Sequence, residues 1–252
     1  MVLKSSPSGG STRAAGVGGN LVRVQLLFAI LLASLGLGLG IGAQNRAVAT
    51  GRAGTFLITT STNSLGSGWI LNHNGLAVTA AHAVGPATTF QATFADGDVR
   101  EGVVVATDRA TDLALLRIDP EPVLHPLDLA QAPLTGTRVI ARGAPGGRLG
   151  TLTRGEITSL KARPTDQIRI GLIQHSAALA PGSSGGPLLN DQGEVVGINI
   201  GILSQNQGQG ASPIGYAVPI DQVRQAILRM QAAEQRSPTP LPWAQREKSA
   251  QG

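Results

Sequence analysis

A histidine, an aspartate and a pair of adjacent serines carry side chains that could together cleave an acyl bond. The serines lie in PGSSGGPLLN, residues 181–190, as Ser183 and Ser184. A serine hydroxyl is a weak nucleophile. It needs a base within hydrogen-bond reach, usually histidine, and a carboxylate that fixes the tautomer of that base. It also needs backbone N–H groups aimed at the developing oxyanion. Flanking glycines suit the last need, because they adopt dihedrals other residues resist and let a substrate carbonyl come close. A Gly/Ser linker would continue in kind; here apolar PLLN follows, so the loop leads into a strand. Four histidines are available as base. His82, in AVTAAHAV, ends an apolar strand among small alanines that leave room for a substrate. His73 sits in the turn LNHNG, His125 between Leu124 and Pro126, and His175 at a strand end, each explained as a surface or packing residue. Asp112 opens TDLALLRI, where an acid at the start of a buried strand can reach under a neighbouring histidine; taken alone it is a turn cap. Asp108 lies in the polar turn TDRAT.

The elements that must bring these residues together are short strands. TFLITTS (55–61), GWILN (68–72), LAVTAAH (76–82), TTFQATF (88–94), REGVVVATD (100–108) and LALLRI (113–118) alternate with Gly, Asp and Pro breaks, and Asn74-Gly75 and Asp96-Gly97 are hairpin signals. After the Pro-rich stretch EPVLHPLDLAQAP (121–133) a second set follows: RVIARG (138–143), GTLTRGEITSL (150–160), QIRIGLIQ (167–174), PLLN (187–190), EVVGINIGIL (194–203) and GYAVPI (215–220). Two sets of about six strands indicate two all-β units of Greek-key or barrel type, the first over 55–122 and the second over 123–220. A helical period comes only at DQVRQAILRMQAA, where Val223, Ile227 and Met230 share a face and Asp221 caps the start, giving one C-terminal helix over 221–236. The tail 237–252 is polar, holds three prolines and reads as flexible.

Composition excludes several functions. The net charge is +5, but the 17 Arg and 3 Lys are scattered singly and only seven aromatics are present, so no nucleic-acid surface is expected. There is no cysteine, hence no disulfide framework and no thiolate metal site, and the scattered histidines suggest no metal cluster. At the N-terminus, residues 1–23 are Ser/Gly-rich and read as a disordered cytoplasmic segment. Val24 to Asn45 carries no charge, with LLFAILLASLGLGLGIGA as its core, and Lys4, Arg13 and Arg23 precede it. That length fits a transmembrane helix over 24–45, followed by a tether over 46–54. A cleaved signal peptide is the competing reading, but its apolar region usually runs ~7–15 residues after a short basic start. Either way the remainder is exported. The expected location is the cell membrane, single-pass, or secreted if the segment is cleaved.

His82, Asp112 thirty residues later, and the serine pair about seventy beyond follow the order of chymotrypsin-like proteases, distinct from subtilisins and α/β-hydrolases. Over about 55–222 the chain resembles the HtrA/Deg group of trypsin-like serine proteases. The resemblance rests on GSGWILNHNGLAVTAAHAV, FADGDVREGVVVATDRATDLALLRI, TLTRGEITSL, APGSSGGPLLNDQGEVVGINI and PIGYAVPI. It implies an all-β fold of two six-stranded Greek-key barrels. It implies a His82–Asp112–Ser184 triad, since the family's nucleophile follows a Gly-X pair and precedes Gly-Gly; Ser183 takes the X place. It implies an oxyanion hole from Gly182 and Ser184, with Ser183 as a further donor, and no metal or other cofactor. Ala178, Leu179 and Ala180 would line the pocket for the substrate side chain, and Ile198, Asn199, Ile200 and Gly201 would pair with the substrate backbone as an added strand. The uncharged pocket favours cleavage after small or medium aliphatic residues in unfolded exported polypeptides. About 30 residues follow PIGYAVPI, too few for the family's PDZ domains, and only Phe56 stands near the start of the first barrel, which puts family-type trimers in doubt. The alternative is a catalytically silent protease-fold module that binds unfolded peptides or a partner protein.

Overall fold

In the computed structural model of the protein the described residues are 48–62, 64–121, 123–164, 169–201 and 214–243. The expected cytoplasmic segment and transmembrane run lie outside them. Among the described residues no helix is long and apolar enough to cross a membrane.

Six strands, β1 (Thr55–Thr59), β2 (Leu65–Ile70), β3 (Leu76–Ala80), β4 (Thr89–Phe94), β5 (Val99–Asp108) and β6 (Leu113–Ile118), close into a barrel in the order β1-β2-β3-β6-β5-β4. Six more, β7 (Arg138–Gly143), β8 (Thr151–Ala162), β9 (Leu172–His175), β10 (Pro187–Leu189), β11 (Val195–Gly201) and β12 (Gly215–Pro219), close a second barrel in the order β10-β11-β12-β9-β8-β7. Read from its first strand, each barrel has the same wiring. Its third strand pairs with its sixth across an intervening hairpin, which is Greek-key connectivity. All registered pairs are antiparallel, so short turns suffice and each strand can offer alternate residues to two environments.

β6 shows that alternation plainly. Leu113 and Leu115 join a cluster that also contains Trp69 and Val78 of the first barrel and Ile140, Leu189, Ile198 and Val218 of the second. Ala114, Leu116 and Ile118 face the first barrel's own core with Phe56, Ile58, Phe90 and Phe94. Both faces of β6 are covered, which is why LALLRI is almost unbroken apolar sequence. The second barrel has its own core around Val139, Ile157, Ile173, Leu188 and Val196.

Two helices close the seam between the barrels. Residues 48–54 are helical (α1), where the sequence suggested a loose tether. Val48 packs against the inter-barrel cluster, and its carbonyl accepts a 2.5 Å hydrogen bond from Arg142 Nη2. Arg142 is buried beneath α1, and desolvation, then repulsion from Arg52 and Arg154, lowers its pKa to about 10, so it stays charged near neutrality. After the one-turn α2 (Ala81–Val84), the long α3 (Ile220–Arg236) inserts Val223, Ala226, Ile227 and Met230 into the inter-barrel cluster. Its polar side is tied to the first barrel by Arg229–Asp108 (2.6 Å) and Glu234–Arg117 (2.6 Å). Beyond α3 the chain does not hang free: Trp243 is only 7% exposed, and Pro242 lies against the ends of β1 and β4. Trp243 is thus the buried point of the Pro-rich start of the tail, whose prolines stay exposed.

Candidate active site

Asp112 occupies the connection into β6 with φ 55°, the only positive value at a non-glycine among the described residues. Aspartate tolerates this left-handed region better than most residues. The kink turns the residue back over α2. Its main-chain carbonyl accepts Ala81 N–H (2.8 Å), Oδ1 accepts His82 N–H (3.1 Å), and Oδ2 lies 2.5 Å from His82 Nδ1. His82 therefore rides on a short helix, not at the end of β3 as the sequence suggested; β3 stops at Ala80. Asp112 holds both the start of α2 and the ring. With Nδ1 bound to the carboxylate, Nε2 is the nitrogen left to exchange a proton. The other candidate acid, Asp108, is engaged by Arg229 of α3. Of the other histidines, His73 bonds the Leu124 carbonyl, His125 is exposed, and His175 is buried in the second barrel.

The second barrel supplies Ser184 on the turn between Pro181 and Gly186. Gly185, at φ 86°, presses this turn onto the first barrel: a Cβ there would lie 2.1 Å from Thr79 Oγ1 and 2.2 Å from Ser67 O. No other residue could take that position without moving the barrels apart. Ser67 N donates to Ser184 O at 2.8 Å. Gly66 stands between Ala83 and Ser184, since its Cβ would meet Ala83 Cβ at 2.5 Å and Ser184 O at 3.4 Å. The fold thus brings Ser184 to the edge of the α2 turn. Among the described residues no hydrogen bond joins Ser184 Oγ to His82. Such bonds are commonly long without substrate and shorten once one is bound.

The backbone of the turn is almost fully engaged. Pro181 O accepts from Gly146 N (2.9 Å), Gly182 O from Ser67 Oγ (2.6 Å), Ser183 O from Gly186 N (3.1 Å), and Ser184 O from Ser67 N. Ser183 N donates to Ala180 O (2.9 Å) and Gly185 N to Asn199 O (2.7 Å). Among the described residues this leaves the N–H groups of Gly182 and Ser184 without a protein acceptor. That pair can receive an oxyanion. The expectation that Ser183 contributes a third donor is corrected, because its N–H is already bonded within the turn.

Among the described residues the cavity at the first part of the expected substrate site does not include the second. Ala178, Leu179 and Ala180 line a cavity of about 130 Å³ whose opposite wall is β7, β8 and Pro145. Along β11, Ile198 lies between Pro187 and Val218, and Asn199 pairs with Ala217 while its main-chain N and O engage Gly186 and Gly185. Both side chains are fully buried. Neither residue therefore has a free edge for an added strand, and that part of the expectation is corrected; Gly201 pairs with Tyr216 of β12. Gly201 reaches the nucleophile, for a Cβ there would lie 3.2 Å from Ser184 Oγ. Residues 202–213 lie outside the described residues. Among the described residues no group of three His, Asp or Glu side chains could hold a metal ion.

Two features escaped sequence reasoning. Ser67 lies in LGSGWI, where a serine between glycines reads as a turn, and nothing local shows that its partners are 77 and 115 residues away. His175 and Asn199 are buried polar residues on strands that read as ordinary core strands.

The pattern of the trypsin-like peptidase domain matches residues 66–198, more than half of the chain. HhoA of Synechocystis sp. is 41% identical over 184 residues, covering 69% of this chain and 45% of HhoA. Protease Do-like 1, chloroplastic, of Arabidopsis thaliana is 36% identical over 169 residues, covering 63% of this chain and 37% of that protein. The chain thus spans less than half the length of these curated relatives. A solved structure of the HtrA-type protease AlgW with a tripeptide superposes with a TM-score of 0.67 at 28% identity, covering 73% of this chain and 62% of the other. With both barrels, their wiring and the paired histidine and aspartate in hand, the chain belongs to the trypsin-like serine peptidases, and within them to the HtrA/Deg type.

Proposed function

We propose that this chain is a serine endopeptidase that hydrolyses unfolded exported polypeptides by two-step acyl transfer. His82 Nε2 takes the proton of Ser184 Oγ as the oxygen attacks a peptide carbonyl. Asp112 holds the ring and stabilises the imidazolium. The N–H groups of Gly182 and Ser184 receive the oxyanion. The proton then passes from His82 to the leaving amine, and water, activated by the same imidazole, cleaves the acyl-enzyme and restores Ser184. The observation that carries this reading is the 2.5 Å Asp112–His82 contact beside a turn with two unengaged N–H groups.

The side-chain preference follows from Ala178, Leu179 and Ala180, which offer no carboxylate to a basic residue; burying Lys or Arg there unpaired would be costly. Cleavage is expected after small or medium aliphatic residues. The missing Ser184–His82 hydrogen bond favours a second reading, a silent module that binds unfolded peptides. One experiment separates them: digestion of unfolded casein by wild type and Ser184→Ala, with mapping of the cut sites and fluorophosphonate labelling. Loss of the serine should lower turnover by about 10⁶-fold. Equal slow cleavage by both proteins, or no label on Ser184, sinks the enzyme reading, and cuts after Lys or Arg sink the preference.

The uncharged run from Val24 to Asn45 supports a membrane tether with the barrels outside the cytoplasm. An N-terminus of the native protein near Gln44 or Ala47 would overturn this.

A further inference from the structure

We propose that Ser67, on β2 of the first barrel, is the positioning residue that sets the oxyanion turn of the second. The proposal rests on reading Ser184 as the nucleophile.

Ser67 is fully buried, and its hydroxyl and both main-chain polar groups are all hydrogen-bonded. The hydroxyl has one proton to give and lone pairs to accept with. It donates to Gly182 O at 2.6 Å and accepts Ala144 N–H at 2.8 Å. The main-chain N–H of Ser67 donates to Ser184 O at 2.8 Å, and its carbonyl accepts Thr79 Oγ1–H at 2.6 Å. One residue of the first barrel therefore holds two carbonyls of the turn and one amide of the β7 end beside it. Gly143 makes room for this, since a Cβ there would sit 2.9 Å from Ser67 Oγ.

The carbonyl of one residue and the N–H of the next share a rigid plane. Holding Gly182 O thus fixes the direction of Ser183 N–H, which meets Ala180 O. Gly182 is the residue about which the turn can rotate: it stands at φ 97°, and glycine accepts either sign of φ at little cost. No other described donor holds Gly182 O. Without the Ser67 hydroxyl, the 182–183 peptide is held only by the Ser183 N–H bond to Ala180 O, and its rotation would misdirect the two N–H groups that flank it. The same contact makes the oxyanion site depend on the docking of the two barrels, because its clamp belongs to one barrel and its donors to the other.

The test compares wild type with Ser67→Ala and with Ser67→Cys, whose thiol keeps the volume but is a weak donor. Removing an oxyanion donor outright costs about 10²–10³ in kcat, so misdirecting one should lower kcat by about 10- to 100-fold in Ser67→Ala. KM should stay within about twofold, since only the transition state uses the turn. Affinity for a peptide boronate, which forms a tetrahedral adduct on Ser184, should fall with kcat, and hydrogen exchange of the Ser183 amide should quicken. Ser67→Cys should lie between. Wild-type kcat and boronate affinity in Ser67→Ala overturn the proposal. So do losses in both variants that merely track the unfolded fraction in thermal melts. Should Ser67→Ala fail to fold, Ser67→Cys decides by the same comparisons. If wild type neither cleaves nor labels, the enzyme reading fails on its own; unchanged Ser183 exchange in the variants then overturns the clamp.

Discussion

His175 is 1% exposed, and neither ring nitrogen makes a well-aligned hydrogen bond. Gly215 opposite leaves it space, since a Cβ there would lie 2.3 Å from the ring. Burial pushes the imidazole pKa down from the usual 6.5 to about 4, against a weaker opposing pull from Asn199 and the Ala177 backbone. The folded protein therefore binds this proton less readily than the unfolded chain. Above pH 6.5 both states hold a neutral ring and the group is indifferent; as pH falls from 6.5 towards 4 only the unfolded state gains the proton, and stability drops. The full loss is on the order of 3 kcal/mol. Urea unfolding at several pH values should show this slope in wild type and a shallower one in His175→Thr. Parallel slopes in the two proteins would rule it out.

α3 welds the barrels. Met230, 2% exposed, sits in the shared apolar cluster. Met230→Ala should cost about 2–5 kcal/mol, through lost transfer energy and the cavity left behind. A denaturant midpoint that barely moves would show the seam to be held elsewhere. This helix was legible in the sequence because Val223, Ile227 and Met230 recur at helical spacing. The strands were legible too: LALLRI and RVIARG match β6 and β7 residue for residue, since polar breaks bound each run. What did not show were features set by distant partners. AAHAV reads as the end of a strand, and becomes α2 only because Asp112, thirty residues on, engages its first N–H groups. The burial of Trp243 and the helical form of 48–54 likewise depend on surfaces the local sequence does not contain. Of the candidate site, the histidine–aspartate pair could be read from residue types and order. The clamp at Ser67 could not, because serine in a glycine-flanked strand has no local signature.

At the scale of the whole molecule, neither barrel holds a complete site. The first brings His82, Asp112 and Ser67, and the second brings Ser184 and the N–H pair. Their contact rests on Gly185 against Thr79 and Ser67, on the shared cluster around Trp69 and Ile140, and on α1 and α3 laid across the join. Both halves thread their chain in one pattern, strand for strand. Each half also has its own apolar core, so a small shift of one against the other would leave both cores intact while moving Ser184 relative to His82. The proposed hydrolysis would fall at such a slip before any spectroscopic sign of melting, and would serve as a sensitive gauge of how well the pair is mated.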